Sequence, residues 1–330
     1  DYVANDWIHT ETGWWMPTAA TSAVLGTGYT VEYYGQQTGS GETAATYFYA
    51  VGSSQTDSSG SNGENAPFRI GSKGKDSKEM CIAATTAAWS SNANSLKPTG
   101  TLNSSEPATR TGTIDVETKM ISYYENGTKI DSTANAGTVN SGIKRINLGD
   151  LRAKRGCYWV GDIRSVRVYN RELTPDEVAV NANIDKIRFE GVDPASLTWP
   201  AGYCWNAEKA CIEYQVSAQG TDGATVSIDG ETFAESVATD WTELGTPVTV
   251  TVTAQVPQSS SVTWEGVPAG VAAVRSGNSI TLTLSEAATL RATAHTCTTL
   301  YWRGTTDALA SKPANWADAD GNVAASAPLN

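Results

Sequence analysis

The stretch 157–189, CYWVGDIRSVRVYNRELTPDEVAVNANIDKIRF, constrains the chain more than any other. Trp159, Ile163, Val166, Val168 and Tyr169 form a strand-like run that Arg164 and Arg167 interrupt, the pattern of a sheet with one wet face. The period then changes. Thr174-Pro175-Asp176-Glu177 reads as a capping box: Thr174 caps, Pro175 suits the first helical position, and Glu177 can reach back to the cap. Val178, Ile184 and Ile187 give a short helix and a return strand something apolar to bury. A strand and one capped helix close a domain near residue 190. The chain before that point is expected to be one folded unit and the chain after it another.

A length of 330 residues fits about two domains. Charged residues are few, while Thr, Ser, Gly and aromatic residues are plentiful, which favours β-structure with polar loops. Strands are expected at 29–35, 47–51, 67–71, 80–84, 111–114, 119–124, 129–132 and 145–149. The stretch 56–65 reads as a polar loop and 88–107 as a surface excursion. Asn126-Gly127 supplies the positive φ angles of a type I′ hairpin. Many short strands with one terminal helix make residues 1–190 an all-β, two-sheet sandwich. Residues 191–296 carry six or seven more strands, among them PVTVTVTA and SITLTL, with a hairpin over 224–233 that turns at Asp229-Gly230. They read as an immunoglobulin-like β-sandwich. The tail, 297–330, is too short for its own core and reads as an extra strand or the start of a truncated repeat.

The formal charge of −12 argues against a nucleic-acid partner. The densest positive groups, Lys73, Lys75, Lys78, Lys144, Arg145, Arg152, Lys154 and Arg155, are read as solvated loops. No apolar run is long enough to span a bilayer. Five cysteines without a Cys-x-x-Cys, and two histidines, argue against a structural zinc site. Cys204 and Cys211 could clip a hairpin, and Cys81 could pair with Cys157, leaving Cys297 over. Disulfides in an oxidising setting and buried free thiols both stand as readings.

Several motifs carry a family resemblance. They are YYENGTKI around Asn126-Gly127, INLG at 146–149, the run from Gly161 through Tyr169, Asn170, Arg171 and Leu173 to Thr174, Asp176-Glu177-Val178 with Asn181, and YTVEYY at 29–34. Over about 1–189 the chain resembles laminin-G-like, concanavalin A-type jelly-roll domains. Residues 191–296 resemble bacterial immunoglobulin-like modules. Tyr301-Trp302-Arg303-Gly304 with Pro313-Ala314-Asn315-Trp316 is similar to the opening of repeats in secreted bacterial surface proteins. These resemblances imply an extracellular or cell-surface piece of a larger bacterial polypeptide.

The same fold hosts glycoside hydrolases, which need two carboxylates across the scissile bond. The nearest pattern is Asp115-Val116-Glu117, whose acids are expected to share one solvated strand face. No nucleophile elbow or metalloprotease helix occurs, so no catalytic residue is assigned. Glycan binding needs aromatic platforms beside amides and carboxylates. Trp7, Trp14, Trp15, Trp89 and Tyr158 are the candidates, and one of the neighbours Trp14 and Trp15 should face outward on an extended chain. No cofactor is required. Laminin-G-like domains often hold one calcium ion, and Asp57, Asn62, Glu64 and Asn65 offer hard oxygens for Ca2+ in one loop. The expected function is a non-catalytic binding or adhesion module that recognises a glycan or a host or cell-surface protein through jelly-roll loops. The alternatives are a glycoside-acting enzyme or accessory domain, and a structural stalk.

Overall fold

A computed structural model describes residues 8–10, 14–17, 23–24, 28–40, 47–54, 69–73, 80–83, 95–96, 106–134, 142–143, 145–149, 159–257, 260–268, 270–296, 301–303 and 313–317. The chain divides into two units, Asp1–Thr198 and Trp199–Asn330.

The described strands of the first unit run β1 (Ile8–Thr10), β2 (Trp14–Pro17), β3 (Ala23–Val24), β4 (Gly28–Ser40), β5 (Tyr47–Ser54), β6 (Arg69–Lys73), β7 (Met80–Ala83), β8 (Ser95–Leu96), β9 (Ala108–Asp115), β10 (Met120–Glu125), β11 (Thr128–Ala134), β12 (Gly142–Ile143), β13 (Arg145–Leu148) and β14 (Trp159–Tyr169). Helix α1 (Pro175–Asp185) follows. A first six-stranded sheet has the order β1-β14-β4-β9-β10-β11 and a second the order β2-β13-β5-β6-β7-β8. Strands β3 and β12 form a small separate pair.

The core lies between the two large sheets. Tyr29, Val31, Tyr33, Ile114, Ile121, Tyr123 and Ile163 come from the first, and Ala50, Val51, Ile70 and Leu148 from the second. Alternation along β4 explains the division of labour: Tyr29, Val31 and Tyr33 enter this core, while Thr30 and Glu32 fall on the other face and are equally buried. Arg110 closes one part of the core. It is fully buried, donates 2.7 Å to the Gly35 carbonyl and 3.1 Å to the Glu106 carbonyl, and lies 3.5 Å from the Glu125 carboxylate.

The capping box forms as the sequence implies. Thr174 Oγ1 accepts from Glu177 N at 3.3 Å, and Glu177 Oε2 accepts from Thr174 N at 2.7 Å. The hairpin also forms, with Asn126 at φ 49° and Gly127 at φ 82°. Gly127 is needed twice, because a Cβ there would stand 2.8 Å from the Ala179 Cα of α1.

Three expectations are corrected. The helix leads into no return strand: its end widens into a π-helical segment, Lys186–Glu190, stopped by Gly191 in the left-handed region. The excursion at 88–107 contains β8, which extends the second sheet beside β7. In the second unit the 224–233 hairpin reduces to a single bridge between Val226 and Ala234. After the Asp229-Gly230 turn the chain crosses to the opposite sheet, where Ser236–Ala238 pairs with Val216–Thr221.

The second unit holds two four-stranded sheets. One contains Ser236–Ala238, Val216–Thr221, Ala288–Thr296 and Ser260–Glu265, the middle two strands being parallel. The other contains Thr225–Ile228, Val248–Gln255, Ser279–Leu284 and Ala273–Ser276. Strict alternation in PVTVTVTA buries Val250 and Val252 and pairs the hydroxyls of Thr249, Thr251 and Thr253 with those of Thr283, Thr281 and Ser279 at 2.8–3.0 Å. Cys204 and Cys211 sit on a hairpin, Tyr203–Asn206 against Cys211–Tyr214, as free thiols. In the tail, Tyr301–Trp302 pairs with Trp316–Ala317.

Candidate functional site

A two-sheet sandwich has two outward faces, and they differ here. The outward face of the first sheet is roofed by α1. Under the roof, Arg167 of β14 bridges two fully buried carboxylates, Glu32 of β4 and Asp185 at the helix end. Its Nη1 donates 2.5 Å to Glu32 and 2.9 Å to Asp185, and its Nη2 closes a fork on Asp185. Thr111 donates 2.6 Å to Glu32, and Thr109 donates 2.9 Å to Asp185. Burial pushes the Glu32 carboxyl upward, opposed by the Arg167 charge and the Thr111 hydroxyl. Burial works against the Arg167 charge, but the bonds and attraction to Asp185 and Glu32 outweigh it and lift its pKa.

Around this network the helix is locked to the sheet. Arg171 pairs with Glu177, Asn181 donates 2.9 Å to the Tyr169 hydroxyl, and Thr30 Oγ1 accepts from Leu173 N at 2.9 Å. Tyr124, Leu173 and Val178 pack together, with Tyr169 against them. Two carboxylates lie close together here, but both are buried and held by one guanidinium, so they offer no acid and base to a substrate.

The second sheet is different. Its register places Trp14, Leu148, Val51, Ile70, Ile82 and Leu96 in one row across six strands. Leu148, Val51 and Ile70 are buried in the core, which fixes this as the inward row. The next row is Trp15, Asn147, Gly52, Arg69, Ala83 and Ser95. By the two-residue period of a strand it belongs to the outward face. A β-bulge at Ala50 then places Tyr49 opposite Gly71 on that same face. Trp15, Asn147, Arg69 and Tyr49 thus hold register positions on one outward face, with Gly52 and Gly71 among them, and residues of these types are the ones that stack a sugar ring and bond its rim.

Of the expected site residues, the register separates Trp14 from Trp15 and gives only Trp15 an outward position. Trp7, Trp89 and Tyr158, and the calcium loop residues Asp57, Asn62, Glu64 and Asn65, lie outside the described residues. Among the described residues no group of three or more His, Cys, Asp or Glu could hold a metal ion. Lys73 and Arg145, read as loop cations, stand instead on β6 and β13.

The acids at 115 and 117 do not share a strand face, because β9 ends at Asp115. Asp115 caps the turn that follows, accepting from Glu117 N at 2.8 Å and Thr118 Oγ1 at 2.6 Å. Desolvation opposes its ionisation, but the bonds from Thr118 and Glu117 prevail and lower its pKa, the reverse of what a general acid needs. No helix among the described residues is long and apolar enough to cross a membrane.

Two facing six-stranded sheets with a helix roof on one define a jelly-roll sandwich. The profile of the Laminin_G_3 family, described as the concanavalin A-like lectin/glucanases superfamily, matches residues 14–179. The chain belongs to this family. No curated protein matches it. Among solved structures, it is similar to a heptameric SAP-like pentraxin from Limulus polyphemus, at 13% identity and TM-score 0.37, covering 49% of this chain and 73% of that one. It is also similar to the CBM40 of the Ruminococcus gnavus IT-sialidase, solved with α2,3-sialyllactose, at 15% identity and TM-score 0.38, covering 54% and 96%. A third is domain 4 of the arabinanase AbnA from Geobacillus stearothermophilus, solved with arabinotriose, at 18% identity and TM-score 0.35, covering 52% and 72%.

Proposed function

We propose that the first unit is a non-catalytic glycan-binding module of an extracellular bacterial surface polypeptide, and that the outward face of its second sheet is the binding face. The observation that carries this reading is the register row Trp15–Asn147–Gly52–Arg69. Membership of a lectin and glucanase superfamily supports it. So does the roof on the other sheet, which leaves that face to α1. The second unit is then an immunoglobulin-like spacer that projects the jelly roll, and the loop 57–65 is the place for a calcium ion.

A glycan array probed with the full chain, followed by titration of Trp15→Ala, tests this. Binding of at least one glycan class, lost in the variant while the fold persists, is expected. A blank array, or binding indifferent to Trp15, sinks the reading. For calcium, a rise in Tm on adding the ion, reversed by chelator, is expected; no shift with either removes the site.

A further inference from the structure

We propose that Cys204 and Cys211 form a two-thiol site in the second unit that takes one soft monovalent cation of the copper(I) class, held in a line between the two sulfurs. The site is independent of the glycan-binding reading and lies in the other unit of the chain.

The geometry comes from a small three-stranded sheet, Tyr203–Asn206, Cys211–Tyr214 and Thr242–Glu243. Its register sets Cys204 opposite Glu213, Asn206 opposite Cys211, and Glu213 opposite Glu243. Opposed residues share a face, so both cysteines, Asn206 and the two glutamates stand on one side. The other side carries Tyr203 and Tyr214, both buried, with Trp205 and Ile212. The cysteines are partly exposed free thiols. They are diagonal neighbours, one register pair out of step. Diagonal neighbours stand roughly 7–8 Å apart, slightly less between Cβ atoms, whereas a disulfide needs Cβ atoms about 3.5–4.5 Å apart. The register thus holds the thiols too far apart for a direct bond. A metal ion between the sulfurs replaces one S–S bond of about 2.0 Å by two metal–sulfur bonds of about 2.3 Å and straightens the bridge, which brings its reach to roughly 7 Å. The spacing is that of a bridged ion.

The surroundings select the ion. Thiolate sulfur is a soft ligand that favours copper(I) and zinc over calcium or magnesium. Zinc takes four ligands as a rule, and among the described residues no third His, Cys, Asp or Glu is placed to complete such a set. Glu213, opposite Cys204, is already engaged: its Oε2 accepts 3.0 Å from Asn206 Nδ2 and its Oε1 accepts 2.6 Å from Lys209 Nζ. Two sulfurs alone suit an ion satisfied by two ligands in a line, as copper(I) and silver(I) are. Burial raises both thiols, joined by Glu213 at Cys204 and by Glu243 at Cys211, so both carry a proton near neutral pH. Binding therefore releases two S–H protons to solvent and forms two sulfur–metal bonds, with no change of oxidation state. The filled site bears one net negative charge, and the Lys209 cation, which favours the Cys211 thiolate, stands beside it.

The test titrates the reduced full chain with copper(I) against a chromogenic copper(I) chelator, without air, and uses silver(I) as a second probe that is not oxidised. One copper(I) per chain is expected to be withheld from the chelator. Cys204→Ser and Cys211→Ser should each weaken that binding by at least about a hundredfold, since losing a ligand costs more than losing a partner behind it. The variant Cys81→Ser/Cys157→Ser/Cys297→Ser should keep it. Copper(I) held as tightly by Cys204→Ser/Cys211→Ser as by the parent overturns the site. Zinc(II) in excess should not displace silver(I), and displacement would overturn the two-ligand reading. Independently of any variant, silver(I) should shield both thiols of the parent chain from alkylation; undiminished labelling at either one overturns the site. Finally, the metal-free chain is treated with a small-molecule disulfide and its peptides are mapped by mass spectrometry. Cys204 and Cys211 should not be joined to each other, and a direct bond between them would overturn the spacing on which the proposal stands.

Discussion

Trp14 falls in the register row of Leu148, Val51 and Ile70, three residues buried in the core. Trp14→Ala should cost about 3–5 kcal/mol in chemical denaturation. Trp15→Ala, one residue on and on the other face, should leave the midpoint within about 0.5 kcal/mol of the parent. Arg167 is the second residue whose role only its surroundings explain. Arg167→Leu leaves Glu32 and Asp185 buried without their cation and should cost about 3–5 kcal/mol near neutral pH. The loss should depend on pH. Without Arg167 the folded-state pKa of Glu32 rises further above its unfolded value, because the charge that opposed burial is gone. A group with a raised folded pKa stabilises the fold below its unfolded pKa and loses that contribution as pH rises through the folded one. The deficit of the variant should therefore be smaller at acid pH than at neutral pH, measured by denaturation at each. A deficit that is constant with pH would show that the buried carboxylates are not the cause.

At the scale of the element, α1 and the Asn126-Gly127 hairpin act as one clasp. Gly127 is held at φ 82° and faces the Ala179 backbone, so Gly127→Ala combines left-handed strain with a clash and should cost about 2–4 kcal/mol. Thr174→Ala, which removes only the cap, should cost about 1 kcal/mol. Differential scanning calorimetry would rank the two, and equal losses would mean that the hairpin tip is not pressed on the helix. The family motif gains its meaning here. Tyr169 accepts from Asn181, Arg171 holds Glu177, and Leu173 packs with Val178, so the ending from Gly161 to Asn181 fastens a helix across a sheet. These pairs are spaced 12, 6 and 5 residues apart, close enough to be legible as a motif. Glu32 and Thr111 are 135 and 56 residues from Arg167 and carry no local pattern that announces them.

For the whole molecule, the two compact units predict a division of labour. A fragment covering 1–198 should bind the same glycan as the full chain, within about twofold. A fragment covering 199–330 should bind none. Binding that requires both fragments would move the site away from the second sheet of the jelly roll.

What the sequence determined by itself was everything set by neighbours a few residues apart: the capping box at Thr174, the turn at Asn126-Gly127, the alternation of PVTVTVTA, and the family ending near Asn181. It could also say that Trp14 and Trp15 part ways, since adjacent residues on a strand take opposite faces. Which of them faces outward was decided only by long-range pairing. Trp15 meets Asn147, Asn147 meets Gly52, and Gly52 meets Arg69, contacts that join four separate segments of chain. A shift of one residue in any of these registers would exchange the two faces, and no local preference opposes such a shift. The shared core fixes the register by burying Leu148, Val51 and Ile70 together. The same pairing brings the backbones of β13 and β6, far apart in the chain, to either side of β5.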